Sequence, residues 1–116
     1  VLGETVKAMR AAGAGEITAW MGPAIGPEAF EVGQDVVDAF MAATPGDAAK
    51  ACFRAYAGRP GKYLADMFTL ARLMLAQDGV ERVHGGGLCT ASDPQRFYSY
   101  RRDGVTGRQA SLIWIK

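Results

Sequence analysis

The sequence has few of the residues that metal-rich, disulfide-rich or membrane proteins depend on. Its 116 residues include one histidine and two cysteines, and Cys52 and Cys89 could form at most one bridge, which excludes a disulfide-dense secreted scaffold. No apolar run approaches the roughly 20 residues that span a bilayer. Charge of neither sign dominates, because 13 Lys and Arg face 12 Asp and Glu. We therefore expect no nucleic-acid partner and no membrane partner.

The composition is that of an ordinary globular protein, with 49% hydrophobic and 22% charged residues. The 15 glycines are scattered without a period, and the length suits one domain with a modest core, so residues 1–116 are predicted to form a single domain. The chain enters a helical pattern at its first residues with no capping residue ahead of it. Either the chain is cut partway through an element, or the helix has a naturally frayed end.

Apolar periodicity predicts alternating helices and strands, and hence an α/β fold with a mixed or parallel sheet covered by helices. The first predicted helix runs from the first residues to Ala12. The second begins at Gly33 or Gln34 and is ended by Pro45-Gly46-Asp47, where Asp47 could cap a further turn up to Ala51. The third follows the apolar stripe Leu64, Met67, Phe68, Ala71, Met74 and Leu75 up to Gly79. The predicted strands are Ile17–Met21, Ala29–Val32 and Val80–His84, followed by a hairpin of Phe97–Tyr100 with Ala110–Ile115 around Asp103-Gly104.

The segment Gly22–Pro27 follows the first predicted strand and holds two prolines and two glycines in six residues. Regular structure is excluded there, so we expect an ordered, irregular loop at the carboxyl end of the strand. Such loops are where ligands bind in open α/β sheets. The loop is either a rigid turn or a ligand contact.

His84 and Cys89 flank the triple glycine 85–87, which could let both side chains turn toward one point. Zinc needs at least three protein ligands, and Cys52 is remote in sequence, so we assign no metal ligand. A Cys–His nucleophilic pair lacks a third orienting group, so we assign no catalytic residue either. No Lys follows the glycines at the phosphate-loop position, which makes them a turn.

Four arginines, Arg96, Arg101, Arg102 and Arg108, lie within thirteen residues and face only Asp103 in that span. Guanidinium groups bind carboxylate and phosphate with two parallel hydrogen bonds, so this cluster could form an anion site. It could equally be a solvated turn held by one Arg–Asp pair.

Several stretches resemble one known family in the correct order along nearly the whole chain. They are Trp20-Met21-Gly22-Pro23-Ala24-Ile25-Gly26-Pro27, Phe30-Glu31-Val32-Gly33, Gly61-Lys62-Tyr63-Leu64-Ala65-Asp66, Leu88-Cys89-Thr90, and the block from Arg96-Phe97-Tyr98-Ser99-Tyr100-Arg101-Arg102-Asp103 to Thr106-Gly107-Arg108-Gln109-Ala110-Ser111. The family is the laccase-domain, or YfiH-like, group. The resemblance implies an α/β fold of which this chain is the C-terminal half.

The resemblance implies zinc-dependent phosphorolysis of purine nucleosides, with adenosine deamination as a companion activity and a cytoplasmic location with reduced thiols. Purine nucleoside and phosphate would be the substrates, and Arg101, Arg102 and Arg108 would bind the substrate or its anion. The family's His, Cys, His metal motifs are absent from this sequence, so the zinc ligands are expected in a preceding half, and this chain alone is expected to be inactive. The alternatives are a copper-dependent polyphenol oxidase and a non-enzymatic binding or structural fragment that acts with the missing N-terminal half.

Overall fold

Two small sheets and five helices make up the protein, which is described over residues 1–116 by a computed structural model. The helices are α1 (Leu2–Ala11), α2 (Gln34–Ala43), α3 (Asp47–Lys50), α4 (Met67–Gln77) and α5 (Tyr100–Asp103). The strands are β1 (Thr18–Met21), β2 (Glu31–Gly33), β3 (Phe53–Ala55), β4 (Lys62–Ala65) and β5 (Arg82–Gly85). None of the helices combines the length and the apolar composition that crossing a bilayer requires.

The first sheet is the parallel pair β1–β5, in which Thr18 pairs with Arg82 and Met21 pairs with Gly85. One face of this pair packs against α1 and α4 around a small core of Val6, Leu75 and Val80, with Ile17, Ala19 and Val83 against it. The other face carries exposed side chains, Trp20 and His84 among them. The pair is therefore covered by helices on one side only.

The second sheet is antiparallel, in the order β2–β4–β3. A second core cluster of Ala49, Cys52 and Leu70 lies beside it, with Phe40, Met41, Phe53 and Leu73 packed around it. Helix α4 contributes Leu75 to the first cluster and Leu70 to the second. This one helix therefore joins the two halves of the core.

The predictions of α1, β1, α2 and β5 are confirmed, with ends shifted by one or two residues. A short strand near Ala29–Val32 is also present, as β2 at Glu31–Gly33. The helical turn at Asp47 is confirmed, but its cap is Gly46 and no side chain caps it. The expected single sheet is in fact two, one parallel and one antiparallel.

The third predicted helix begins later than its apolar stripe suggested, because Leu64 belongs to β4. The side chain of Asp66 accepts a hydrogen bond from the backbone N–H of Thr69 at 3.0 Å, and this cap starts α4 at Met67. Gly79 follows the helix with φ of +75°, which confirms its predicted role at the helix end.

The hairpin of β3 and β4 was not predicted from the sequence. Its strands have only three and four residues, too few to show alternation. A turn joins the two strands. It contains Gly58 and Gly61, both with positive φ.

The predicted C-terminal hairpin is wrong. Ser99 accepts a hydrogen bond from the backbone N–H of Arg102, so Tyr100–Asp103 is a short helix, and Gly104 ends it with φ of +73°. Asp103-Gly104 is thus a helix end instead of a hairpin turn. Residues 105–116 form no regular structure, and in the expected buried strand Leu112 and Trp114 are 82% and 73% exposed.

Candidate functional site

The candidate site lies where β1 and β5 end. Because the two strands are parallel, the loops that follow them leave the sheet at the same edge. The loop after β1 is the Gly22–Pro27 segment, and the loop after β5 runs through the triple glycine to Thr90. Crevices outside the carboxyl ends of such strands are the usual ligand sites of α/β proteins.

The Gly22–Pro27 loop is fastened to the segment after β5. The backbone N–H of Ala24 donates to the carbonyl of Leu88 at 3.2 Å, and that of Thr90 donates to the carbonyl of Ala24 at 2.9 Å. The N–H of Gly26 donates to Sγ of Cys89 at 3.1 Å. These bonds agree with the expectation of a fixed loop at the end of the first strand.

The backbone conformation at the point where the two loops diverge favours glycine at positions 85, 86 and 87. Gly85, Gly86 and Gly87 have φ of +78°, +84° and +86°, in the left-handed region that other residues avoid. A Cβ on Gly85 would lie 2.4 Å from the carbonyl oxygen of Met21. Gly85 therefore permits a close approach of backbone to backbone; it is the last residue of β5, and Gly86 and Gly87 that follow it have no regular structure.

A cleft of about 980 Å³ opens beside these loops. It is lined by Pro23, Ala24 and Ile25 of the first loop, by Met67 of α4, by Thr90, and by residues from Tyr98 through Arg101 and from Gly104 through Gln109. Its lining includes two arginines, Arg101 and Arg108, and no aspartate or glutamate. The cleft is therefore a cationic concavity in a chain that is almost neutral overall.

Arg101 is held at the cleft by the segment that enters β2. Its guanidinium lies over the ring of Phe30, 5.5 Å from the centroid, and donates one hydrogen bond to the carbonyl of Glu31 at 2.7 Å. A guanidinium has five N–H donors, so most of its donors stay available. Arg108 makes no ion pair and no hydrogen bond to another residue.

Arg102 is not among the residues that line the cleft. Its guanidinium donates to the carbonyls of Thr90, Ala91 and Phe97 at 3.0, 3.3 and 3.1 Å and to both carboxylate oxygens of Asp103. The hydrogen bond from Arg102 is the main reason that the pKa of Asp103 is lowered, and Asp103 in turn raises the pKa of Arg102. Arg102 thus ties the start of α5 to the loop after β5.

Arg96, the fourth arginine of the cluster, pairs with Asp93, and its hydrogen bond to that carboxylate lowers the pKa of Asp93. Of the four arginines clustered in the sequence, Arg101 and Arg108 line the cleft. The other two fasten the surrounding backbone.

No three His, Cys, Asp or Glu side chains come together in this chain, at His84 and Cys89 or elsewhere. Cys52 is buried among α3 and α4, and burial, followed by the nearby charge of Asp66, raises its pKa. Cys89 is half-buried. Burial raises the pKa of its thiol, but hydrogen bonds from Ser92 and from backbone N–H groups outweigh burial, and the net effect is a lowered pKa. Both cysteines are free thiols in the structure.

The family is decided by a match along the whole chain. A model of the multi-copper polyphenol oxidoreductase laccase family matches residues 1–116. The chain belongs to this laccase family. Relatives named purine nucleoside phosphorylase include one from Pseudomonas aeruginosa, 54% identical over 87% of this chain and 40% of the relative. Another, from Haemophilus influenzae, is 45% identical over 100% of this chain and 46% of the relative.

Solved structures share the laccase-family fold. A protein of Neisseria meningitidis is 43% identical and superposes with a TM-score of 0.75 over 89% of this chain and 42% of its own. YlmD from Geobacillus stearothermophilus is 30% identical, with a TM-score of 0.76 over 90% of this chain and 39% of its own. The chain thus spans less than half the length of the relatives it matches. The α/β fold and the YfiH-like family expected from the sequence are confirmed.

Tyr98 and Gly107 are parts of the cleft that the sequence reasoning missed. The predicted hairpin placed Tyr98 in a strand. That prediction gave no reason to expect the ring of Tyr98 to lie beside Gly107. The signal for the true conformation was the serine at position 99 followed three residues later by Arg102, with Gly104 closing the helix.

Proposed function

We propose that this laccase-family chain supplies the phosphate- and nucleoside-binding cleft of a purine nucleoside phosphorylase. The observation that carries the proposal is the cleft itself, which contains Arg101 and Arg108 without any carboxylate to neutralise them. Relatives up to 54% identical to this chain are named purine nucleoside phosphorylase. A phosphorolytic enzyme needs an anion site beside a site for a flat base, and the cleft is large enough for both.

Phosphorolysis joins a phosphate oxygen to C1′ of the ribose and breaks the bond between C1′ and the purine nitrogen. The base departs with the bonding electron pair and takes up a proton, and ribose 1-phosphate remains. Arg101 and Arg108 hold the attacking phosphate through charge-assisted hydrogen bonds and offset its negative charge. The contact of Arg101 with Phe30 and Glu31 fixes one of the two guanidiniums before phosphate arrives.

Arg102, which the sequence analysis grouped with these two residues, has a positioning role in the proposal. Its guanidinium already donates to three backbone carbonyls and to Asp103. It therefore holds the loop and helix that carry Arg101, and it does not contact the anion itself.

In the proposal, the metal site of the enzyme lies outside these residues. We propose that residues 1–116 are one part of a laccase domain, and that zinc ligands come from the remaining part, since the side chains of this chain do not fit a metal. Copper is the alternative metal, consistent with the description of the family model. Adenosine deamination, in which water replaces the amino group and ammonia leaves, is proposed as a companion reaction.

The first test replaces each cleft arginine by alanine in the full-length protein that carries these residues. Arg101→Ala and Arg108→Ala are expected to raise the KM for phosphate about ten- to hundredfold, because each loses a charged hydrogen-bonding partner of the anion. The measurement is phosphate titration of inosine phosphorolysis at saturating inosine.

Two controls separate anion binding from other effects. Arg54→Ala removes an exposed arginine that pairs with Glu28 away from the cleft, and it should leave the phosphate titration unchanged. Arg102→Ala should lower the melting temperature, because several backbone carbonyls lose their donor. If both cleft variants titrate with phosphate like the parent protein, these arginines are structural and the proposal fails.

A further inference from the structure

The ring of Tyr98 is exposed in the cleft and yet held in place. Tyr98 is 55% exposed and lines the cleft two residues before the start of α5. Its backbone N–H donates to the side-chain oxygen of Gln109 at 2.9 Å, which fixes the tyrosine against the segment that follows α5. No hydrogen bond engages its hydroxyl group within this chain.

Gly107 packs against the flat face of this ring. A Cβ built on Gly107 would lie 2.8 Å from Cζ of Tyr98 and 3.0 Å from each of the two Cε atoms. The equal distances to the two Cε atoms place Gly107 over the ring and not beside one edge. A side chain at position 107 would therefore push the ring away, and glycine is the residue that permits the contact.

One face of Tyr98 is thus occupied by backbone, and the ring stays largely exposed toward the cleft. A tyrosine held in this way has lost most of its rotational freedom before any ligand arrives, which lowers the cost of stacking. Arg108, the next residue after Gly107, lines the same cleft. The fold therefore places a fixed aromatic face beside a free cation.

We propose that Tyr98 stacks against the purine base of the substrate and that Gly107 positions the ring for this contact. The inference rests on the proposed function, because it takes the anion held by Arg101 and Arg108 to be phosphate. Bases stack on aromatic side chains through their π-faces, and a purine offers the largest face of the common bases. The cleft then holds the two reactants of phosphorolysis side by side, the base on Tyr98 and the phosphate on the arginines.

The test measures binding of a free base, so that it needs neither turnover nor phosphate. Equilibrium dialysis of hypoxanthine against the full-length protein gives the dissociation constant. Tyr98→Ala is expected to weaken binding about five- to hundredfold, since stacking is lost. Tyr98→Phe keeps the ring and is expected to bind like the parent, whereas Tyr98→Leu keeps apolar bulk without the ring and should bind like Tyr98→Ala.

Gly107→Ala tests the positioning role without altering the ring chemically. Its new methyl group displaces Tyr98, so hypoxanthine binding should weaken in the same direction. In the Tyr98→Ala background the glycine substitution should have no further effect, because the ring it displaces is absent.

Gly15→Ala is the matched control, since a Cβ there meets nothing within 4 Å and φ is not positive. Tyr56→Ala is the control for removal of a tyrosine in the β3–β4 turn, away from the cleft.

The outcomes separate this inference from the proposed function. The inference is overturned if hypoxanthine binds Tyr98→Ala as tightly as it binds the parent, or if it binds neither protein. That conclusion does not depend on how the arginine variants change the KM for phosphate. If Tyr98→Ala and Gly107→Ala both weaken base binding while Tyr98→Phe does not, the inference holds even where the phosphate titrations are unchanged. Equal affinity for catechol and hypoxanthine would overturn the assignment of the ring to a purine.

Discussion

At the scale of single residues, the two cysteines differ in a way that chemistry can detect. Cys89 is half-buried and accepts hydrogen bonds from Gly26 and Ser92, which stabilise the thiolate and lower its pKa. Cys52 is buried in a core cluster, and burial raises its pKa. Since the thiolate is the reactive form, Cys89 reaches it at a lower pH than Cys52 does.

We therefore expect iodoacetamide at neutral pH to alkylate Cys89 first. The measurement is peptide mass spectrometry of protein quenched at successive times. Protein unfolded in guanidinium is the control, because there the two thiols should react at similar rates and titrate as two free thiols. Faster labelling of Cys52 in the native protein would contradict the assigned environments.

The sequence predicted the arginine cluster but not the direction of each guanidinium. Composition alone makes Arg101, Arg102 and Arg108 equivalent, since all three lie in one short, acid-poor stretch. Their separation depends on backbone carbonyls far along the chain, such as those of Thr90 and Glu31, to which Arg102 and Arg101 donate. Carbonyl positions are a product of tertiary structure, so no residue pattern reports them.

At the scale of elements, the end of β5 is the tightest point near the cleft. Gly85 and Gly87 both have positive φ, but only Gly85 has a neighbour where a Cβ would be placed, the carbonyl oxygen of Met21. Gly87→Ala should therefore cost about 1–2 kcal/mol of unfolding free energy from backbone strain alone. Gly85→Ala adds a backbone clash to the same strain and should destabilise the protein more.

Urea unfolding of the two variants of the full-length protein measures this difference directly. The comparison isolates the contact with Met21, because the strain at the two positions is similar. Equal midpoints for Gly85→Ala and Gly87→Ala would mean that the loop after β1 moves away freely. That result would contradict a rigid junction between the two loops.

Elements with a strong local signal were predictable, and elements that depend on distant pairing were not. Helix α4 and strand β1 carry strong local signals in their apolar spacing and flanking breakers. The hairpin of β3 and β4 is stabilised by cross-strand pairs such as Phe53 with Ala65, which the local pattern does not contain. The segment Ala110–Ile115 has the composition of a buried strand, yet within these residues no strand pairs with it.

At the scale of the whole molecule, the core is thin. Only 12 of the 116 residues are buried, and the chain measures 48 × 36 × 19 Å. Its radius of gyration is 15.6 Å, against about 13 Å for a compact domain of this length. Apolar side chains near the C-terminus, including Ile113 and Ile115, are almost fully exposed. So small a buried area leaves little free energy to offset the chain entropy.

We expect the 116 residues expressed by themselves to unfold at low urea, to bind a hydrophobic dye, and to hold no stoichiometric zinc or copper. Phosphorolysis of inosine should be absent, since the proposed metal ligands lie elsewhere. Metal analysis beside an inosine assay tests the second part, and a urea titration tests the first. One equivalent of tightly bound zinc with turnover would show that His84 and Cys89 are ligands.

The parallel pairing of β1 with β5 also affects the order in which the chain folds during synthesis. Thr18 pairs with Arg82, sixty-four positions along the chain, whereas Ala55 pairs with Tyr63 only eight positions away. Closing the longer loop costs about 1.8 kcal/mol more in chain entropy, so the hairpin should form well before the parallel pair. Until the ribosome has released the chain through Gly85, the two loops that form one wall of the cleft have no common edge to leave from. The candidate cleft therefore takes shape only after the β3–β4 hairpin has formed.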